Sequence, residues 1–155
     1  MRAGLIAAAL VLLLTSVAHP QAQQVRTYAK AADYEDVKFE LTNAIAARGF
    51  AVEFNGQIGK MLERTGPDVG STKPLYTHAE FITFCSAKYS RRMMEADPTN
   101  IGFCPYVIFI YEAADKRGEI VVGYRRPSPG GSEASRKALA EIDALLDGIV
   151  KEAVQ

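Results

Sequence analysis

Phe81-Ile82-Thr83-Phe84-Cys85-Ser86 and Phe103-Cys104-Pro105-Tyr106-Val107-Ile108-Phe109-Ile110-Tyr111 are two apolar runs separated by a helical stretch. The first run ends a strand that starts near Tyr76. The second begins in a turn, Gly102 to Pro105, and continues through Tyr106–Tyr111 without a polar interruption. That is the pattern of a central strand buried on both faces. Ser86 begins a helix that runs to about Ala96. Asp97-Pro98 ends it, because the residue before a proline avoids helical geometry. The connection between the two strands decides the fold. A hairpin carrying an inserted helix makes the strands antiparallel and brings Cys85 and Cys104 to one end of the sheet. A parallel crossover sends the two cysteines to opposite ends.

The flanking sequence favours the hairpin. Arg26 to Lys30 reads as a short first strand. Asp33 caps a helix in which Val37, Leu41 and Ala44-Ile45 recur at helical spacing, and Arg48-Gly49 closes it. Phe50, Val52 and Phe54 alternate with polar or small residues, which predicts a strand with one buried face. Asn55-Gly56 breaks it. Ile58, Met61 and Leu62 suggest one or two helical turns, and Thr65 to Pro74 reads as loop. After the central run, Ala113 to Gly118 is a hairpin loop and Glu119 to Tyr124 its partner strand. Pro127 to Gly131 is a breaker. Ser132 caps a last helix striped by Leu139, Ile142, Leu146, Ile149 and Val150. The expected fold class is α+β: a curved antiparallel sheet of about five strands, with helices packed mainly on one face.

Composition bounds the function. The chain has 155 residues, 48% hydrophobic and 23% charged, with a formal net charge of zero. That length suits one domain, and the neutral balance gives no whole-protein attraction for nucleic acid. Residues 1–22 stand apart. Arg2 is followed by the unbroken apolar run Leu5–Leu14 and then small residues, with cleavage points after Ala18 and after Ala22. This is the pattern of a secretory signal peptide, and the apolar run is too short to span a bilayer. The expectation is a periplasmic or secreted protein with no stable membrane insertion, its domain covering residues 23–155.

Export permits disulfides. Cys85 and Cys104 therefore head the candidate residues, as a structural bridge or a redox pair. With 18 residues between them, they do not form a Cys-x-x-Cys exchange motif. A metal reading gathers Cys85, Cys104, His78, Met93 and Met94 as soft or borderline ligands for copper or haem. Met93 and Met94 point about 100° apart on a helix, which sets them against sharing one site. Tyr106, Tyr111 and Tyr124 lie at strand ends and could ring a pocket. Glu80, Glu95 and Glu112 would pair only if the fold joins them. Arg91-Arg92 and Arg125-Arg126 read as a solvated helix face and a strand end, with anion binding as the alternative. No phosphate loop, nucleophile elbow, zinc-protease or calcium motif is present.

The stretch Tyr76–Glu112 also carries a family pattern. Phe84-Cys85-Ser86-Ala87 ends a strand, Met94-Glu95-Ala96-Asp97-Pro98 ends the next helix, and Ile101-Gly102-Phe103-Cys104-Pro105-Tyr106 leads to Tyr111-Glu112. Arg48-Gly49-Phe50 matches a helix-to-strand junction. Together these resemble the domain-of-unknown-function family numbered 302, over roughly Tyr34 to Val154. The resemblance implies a β-α-β(4)-α domain with an inserted helix and the shape of the TATA-binding-protein fold. It also implies homodimers in several members. It implies no activity, and a fold does not confer one.

The reading is thus an exported, non-enzymatic binding or accessory protein with a paired-cysteine site at Cys85 and Cys104, a homodimer that meets a small ligand or protein partner. The alternative is a periplasmic redox, metal or haem-handling protein using the same pair.

Overall fold

The computed structural model describes residues 24–128 and 130–155. The segment 1–22 read as an export signal, with its two cleavage points, lies outside the described residues. In chain order the elements are β1 (Val25–Ala31), α1 (Tyr34–Ala47), β2 (Val52–Gly56), α2 (Ile58–Thr65), β3 (Tyr76–Phe84), α3 (Ala87–Ala96), β4 (Tyr106–Ala113), β5 (Glu119–Arg125) and α4 (Glu133–Ala153). Short 3-10 turns at Pro67–Val69 and Pro98–Phe103 precede β3 and β4.

Local chemistry sets the helix boundaries. The Asp33 carboxylate accepts from the Glu35 amide at 2.9 Å, and the Ser132 hydroxyl accepts from the Ser135 amide at 3.1 Å. Each satisfies a first-turn donor with no partner inside its helix. Gly49, just past α1, has φ of 78°, a left-handed conformation that glycine adopts without a Cβ clash.

The five strands form one open sheet in the order β1-β5-β4-β3-β2, every neighbouring pair antiparallel. The chain is α+β. β3 and β4 form a hairpin with α3 inserted, in register Phe84↔Tyr106, Ile82↔Ile108 and Glu80↔Ile110. Alternate residues point to the helical face. Ile82, Phe84, Tyr106, Ile108, Ile110, Ile120, Val122 and Tyr124 are buried there against Leu41 and Ile45 of α1, Met93 of α3, and Leu139, Ile142 and Ile149 of α4. Burying such side chains contributes about 1.5–3 kcal/mol each.

Polar ties fix the helices in place. The Arg126 guanidinium donates to both Asp143 oxygens, at 3.0 and 2.8 Å, and Tyr124 OH donates to Asp143 at 3.0 Å. Buried Asn100 donates from one amide to Met93 O and Ser135 Oγ, both at 2.8 Å. That joins the 3-10 turn to α3 and α4.

Three local expectations need correction. β4 is central but buried on one face only: Val107 is 40% exposed, and Phe109 and Tyr111 are partly exposed. Its outer side chains are apolar, although among the described residues no helix covers β4 on that face. β2 does not bury one face, since Val52 and Phe54 are 40% and 58% exposed. It is an edge strand with a bulge between those residues, and Asn55-Gly56 continues it, Gly56 pairing with Phe81. The segment expected as a turn at Gly102 is the end of a 3-10 helix begun by Pro98.

Candidate functional site

β3 ends at Phe84 opposite Tyr106, so Cys85 and Cys104 leave and enter the sheet at the same end. Their Sγ atoms are 3.0 Å apart, about 1 Å longer than a disulfide bond. Ser86 caps α3, its hydroxyl accepting from the Tyr89 amide at 3.5 Å, and so turns the chain immediately after Cys85. The Cys104 amide donates to Ile101 O at 3.0 Å, and a cis Cys104–Pro105 bond leads into β4.

The surroundings are half-apolar. Both cysteines are partly buried, and Cys104 packs against the core. Ser90 Oγ on α3 lies 3.6 Å from Cys104 Sγ and 3.2 Å from Tyr106 OH. Burial pushes the Cys85 thiol up to about 12, and its hydrogen bond with Cys104 and the nearby Glu53 carboxylate push the same way. Burial likewise raises Tyr106 to about 12. A thiol held that high is almost entirely protonated at neutral pH, and thiolate is the form that attacks disulfides or binds metal.

The remaining expected ligands lie elsewhere. His78 is on β3 at the opposite end, seven positions from Cys85, or about 23 Å of extended strand. Met93 is fully buried in the core, while its neighbour Met94 is only partly buried. Among the described residues, no three His, Cys, Asp or Glu side chains are grouped to hold a metal ion. The copper or haem set drawn from Cys85, Cys104, His78, Met93 and Met94 is therefore not assembled at one place.

The tyrosines do not ring a pocket either. Tyr106 stands beside the cysteines, Tyr124 is buried with its hydroxyl on Asp143 of α4, and Tyr111 packs edge-on to Tyr76 on the outer face. Of the arginine pairs, Arg91 bridges to Glu95 at 3.2 Å, Arg92 pairs with Glu141, and Arg126 pairs with Asp143. Arg125 is exposed at the end of β5.

A second polar cluster lies at the other end of β3, on the helical face. Lys38 Nζ of α1 is 2.9 Å from Glu80 Oε1 and 3.8 Å from Glu35. The His78 ring stacks on Tyr34 with centroids 4.5 Å apart. His78 Nε2 is 4.0 Å from Glu112, whose other oxygen accepts the Gly118 amide at 2.6 Å. Burial pushes the Glu80 carboxyl up, but hydrogen bonds from Lys38, Asn55 and Gln57 outweigh it and hold it below the usual range. Burial and the Glu80 charge hold the Tyr34 hydroxyl above its ordinary value. Sequence reasoning named His78 and Glu80 but missed their meeting with α1. The signal was present: Tyr34 and Lys38 are four apart on one helix face, and the alternation His78, Glu80, Ile82, Phe84 turns the inner edge of β3 from polar to apolar.

The sequence matches the family described as Domain of unknown function DUF302 over residues 25–153. Among solved structures it is similar to the crystal structure of the uncharacterized conserved protein DUF302 from Bacillus stearothermophilus. That similarity has a TM-score of 0.68 at 14% identity and covers 84% of this chain and 98% of that one. No curated protein matches the chain.

Proposed function

We propose, for a chain that belongs to the DUF302 family, an exported, non-enzymatic binding or accessory module whose Cys85–Cys104 pair closes as an intrachain disulfide. The observation that carries this reading is the 3.0 Å approach of the two sulfurs across the end of the β3–β4 hairpin. Closure removes one proton from each thiol and two electrons from the pair. The electrons pass to a disulfide-bearing oxidant of the receiving compartment, which is reduced to its dithiol. The bridge would span the α3 insertion. A loop of that length gives about 3 kcal/mol on the chain-entropy account. The raised Cys85 thiol favours a static bridge over an exchange catalyst.

Export is the second part of the reading. The apolar leader and its cleavage points end just before residue 25, where the family match begins. The third part is a homodimer through the open face of the sheet. From Thr27 and Ala29 across Val121, Gly123, Val107, Phe109, Ala79, Phe81 and Thr83 to Phe54, the middle of the outward face carries no charge, and the charged Glu119 and Arg125 stand at the two ends of β5. A second copy therefore brings no like charges together there, and a two-fold interface uses the same patch twice.

The test expresses the full chain in a bacterium and recovers the protein from the periplasm. The reading expects an N-terminus at His19 or Gln23 and a loss of about 3 kcal/mol of unfolding free energy on adding reductant. An intact Met1 on cytoplasmic protein, or unfolding curves unchanged by reductant, would contradict it.

A further inference from the structure

Large apolar side chains seldom gather in water without a partner, yet three of them surround one hollow at the start of β3. Val69, Leu75 and Tyr76 are 76%, 50% and 40% exposed. With the half-buried Leu62 of α2 they line a chamber of about 650 Å³, to which the β4–β5 hairpin adds Ala114 and Arg117. Grouped, exposed apolar surface marks a docking site, and this volume lies within the range of small-molecule sites.

The chamber is shaped by fixed backbone. The Val69 and Ser71 amides both donate to Gly66 O, at 3.2 and 2.9 Å. A Cβ at Gly66 would collide with the Ser71 carbonyl oxygen, so the chain doubles back there at closest approach. Pro67 and Pro74 fix their own φ angles. The Ala114 amide donates to Leu75 O at 3.1 Å, which ties the hairpin to the loop. A site formed before its ligand arrives loses less entropy on binding.

The charged residues of the lining are Glu63, Lys73 and Arg117, a balance of one positive charge. Among the described residues no carboxylate pairs with Lys73 or Arg117, whereas Arg26, Arg48, Arg91, Arg92 and Arg126 each meet one. The two cations reach the chamber from different segments, the loop before β3 and the β4–β5 hairpin.

We propose that this chamber binds a small monocarboxylate with an apolar tail, the tail lying against Leu62, Val69 and Leu75 and the carboxylate held by Lys73 and Arg117. One surplus positive charge matches one negative head, and a guanidinium fork fits the two oxygens of a carboxylate. The site lies at the opposite end of β3 from the cysteines and draws nothing from them.

The experiment titrates the purified full chain with octanoate, octan-1-ol, octylamine and acetate, by calorimetry and by amide chemical shifts. Octanoate binds once per chain, with shifts centred on Leu62, Val69 and Leu75. Octan-1-ol binds about tenfold more weakly, and octylamine and acetate more weakly still. Raising sodium chloride from about 0.05 to about 0.5 M weakens octanoate and leaves octan-1-ol unchanged. Lys73→Glu and Arg117→Glu, both at exposed positions, each weaken octanoate about tenfold while keeping the octan-1-ol affinity and the native circular dichroism. Val69→Asp weakens both ligands. Reduced and oxidised protein bind octanoate equally, which keeps this test apart from that of the disulfide. Octylamine binding as tight as octanoate, no binding, octanoate indifferent to Lys73→Glu and Arg117→Glu, or shifts centred on Phe81, Val107 and Phe109 would each overturn the proposal. The last of these would mean adsorption to the open sheet face.

Discussion

Asp147 draws three donors from two sides. Arg26 reaches it at 2.9 Å and Tyr28 OH donates to it at 2.6 Å from β1, and Lys151 reaches it at 2.7 Å from the next turn of α4. Burial pushes this carboxyl up, but the hydrogen bonds outweigh it and hold it at about 2. A carboxylate whose folded pKa lies below its unfolded value stabilises the fold above the unfolded pKa. That contribution fades as pH falls through the folded one. Unfolding free energy should therefore drop between about pH 5 and pH 2. Asp147→Asn should cost about 1–3 kcal/mol at neutral pH and flatten that slope. Urea titrations across the range check this, and parallel slopes for the two proteins would contradict it. The sequence shows Asp143, Asp147 and Lys151 four apart on one helix face, but it cannot show which strand residues meet them. The same holds for Tyr34 and Lys38, whose partners are more than 40 positions away.

At the scale of elements, the inserted helix α3 is seated chiefly by one side chain, with Tyr89 and Met94 packing beside it. Met93 is its only buried residue and is fully buried, at the point where α3 meets the core. Met93→Ala should cost about 2–5 kcal/mol through the cavity it leaves, whereas Met94→Ala, at a partly buried site, should cost clearly less. Chemical denaturation of both variants checks the ordering. The misread elements share a physical cause. Apolar alternation in Phe50, Val52 and Phe54, and the unbroken run in Tyr106–Tyr111, were equated with burial. The sheet has an apolar outer face that no helix among the described residues covers at β4, so the pattern reports polarity and is silent about cover. Two glycines support that face. A Cβ at Gly56 would meet the Phe81 ring at 2.1 Å, and one at Gly123 the Phe109 ring at 2.6 Å, so the aromatic rings lie over strand glycines. The element order and the antiparallel hairpin were legible because breakers and caps bound each segment. The bulge in β2 was not, because it depends on its neighbour β3.

For the whole molecule, the open face is the feature that most calls for a partner. Val107 stands on it at 40% exposure, in the central strand. Val107→Arg places two cations face to face in a two-fold dimer. It should convert a dimer to a monomer at micromolar concentration while leaving the far-ultraviolet spectrum unchanged. Sedimentation equilibrium reads the result, and an unchanged mass would remove this face as the interface. The candidate site was legible only in its first half. The sequence named Cys85 and Cys104 and stated the condition, antiparallel strands, under which they meet; it could not see that His78 and the tyrosines are distributed along the length and faces of the sheet. The bond between the two sulfurs is the claim on which the rest of the account turns. Peptide mapping of periplasmic protein, alkylated and digested without reductant, tests it most directly. The account predicts one cross-linked species joining the Cys85 and Cys104 peptides, two hydrogens lighter than their sum. Two separate alkylated peptides would contradict it.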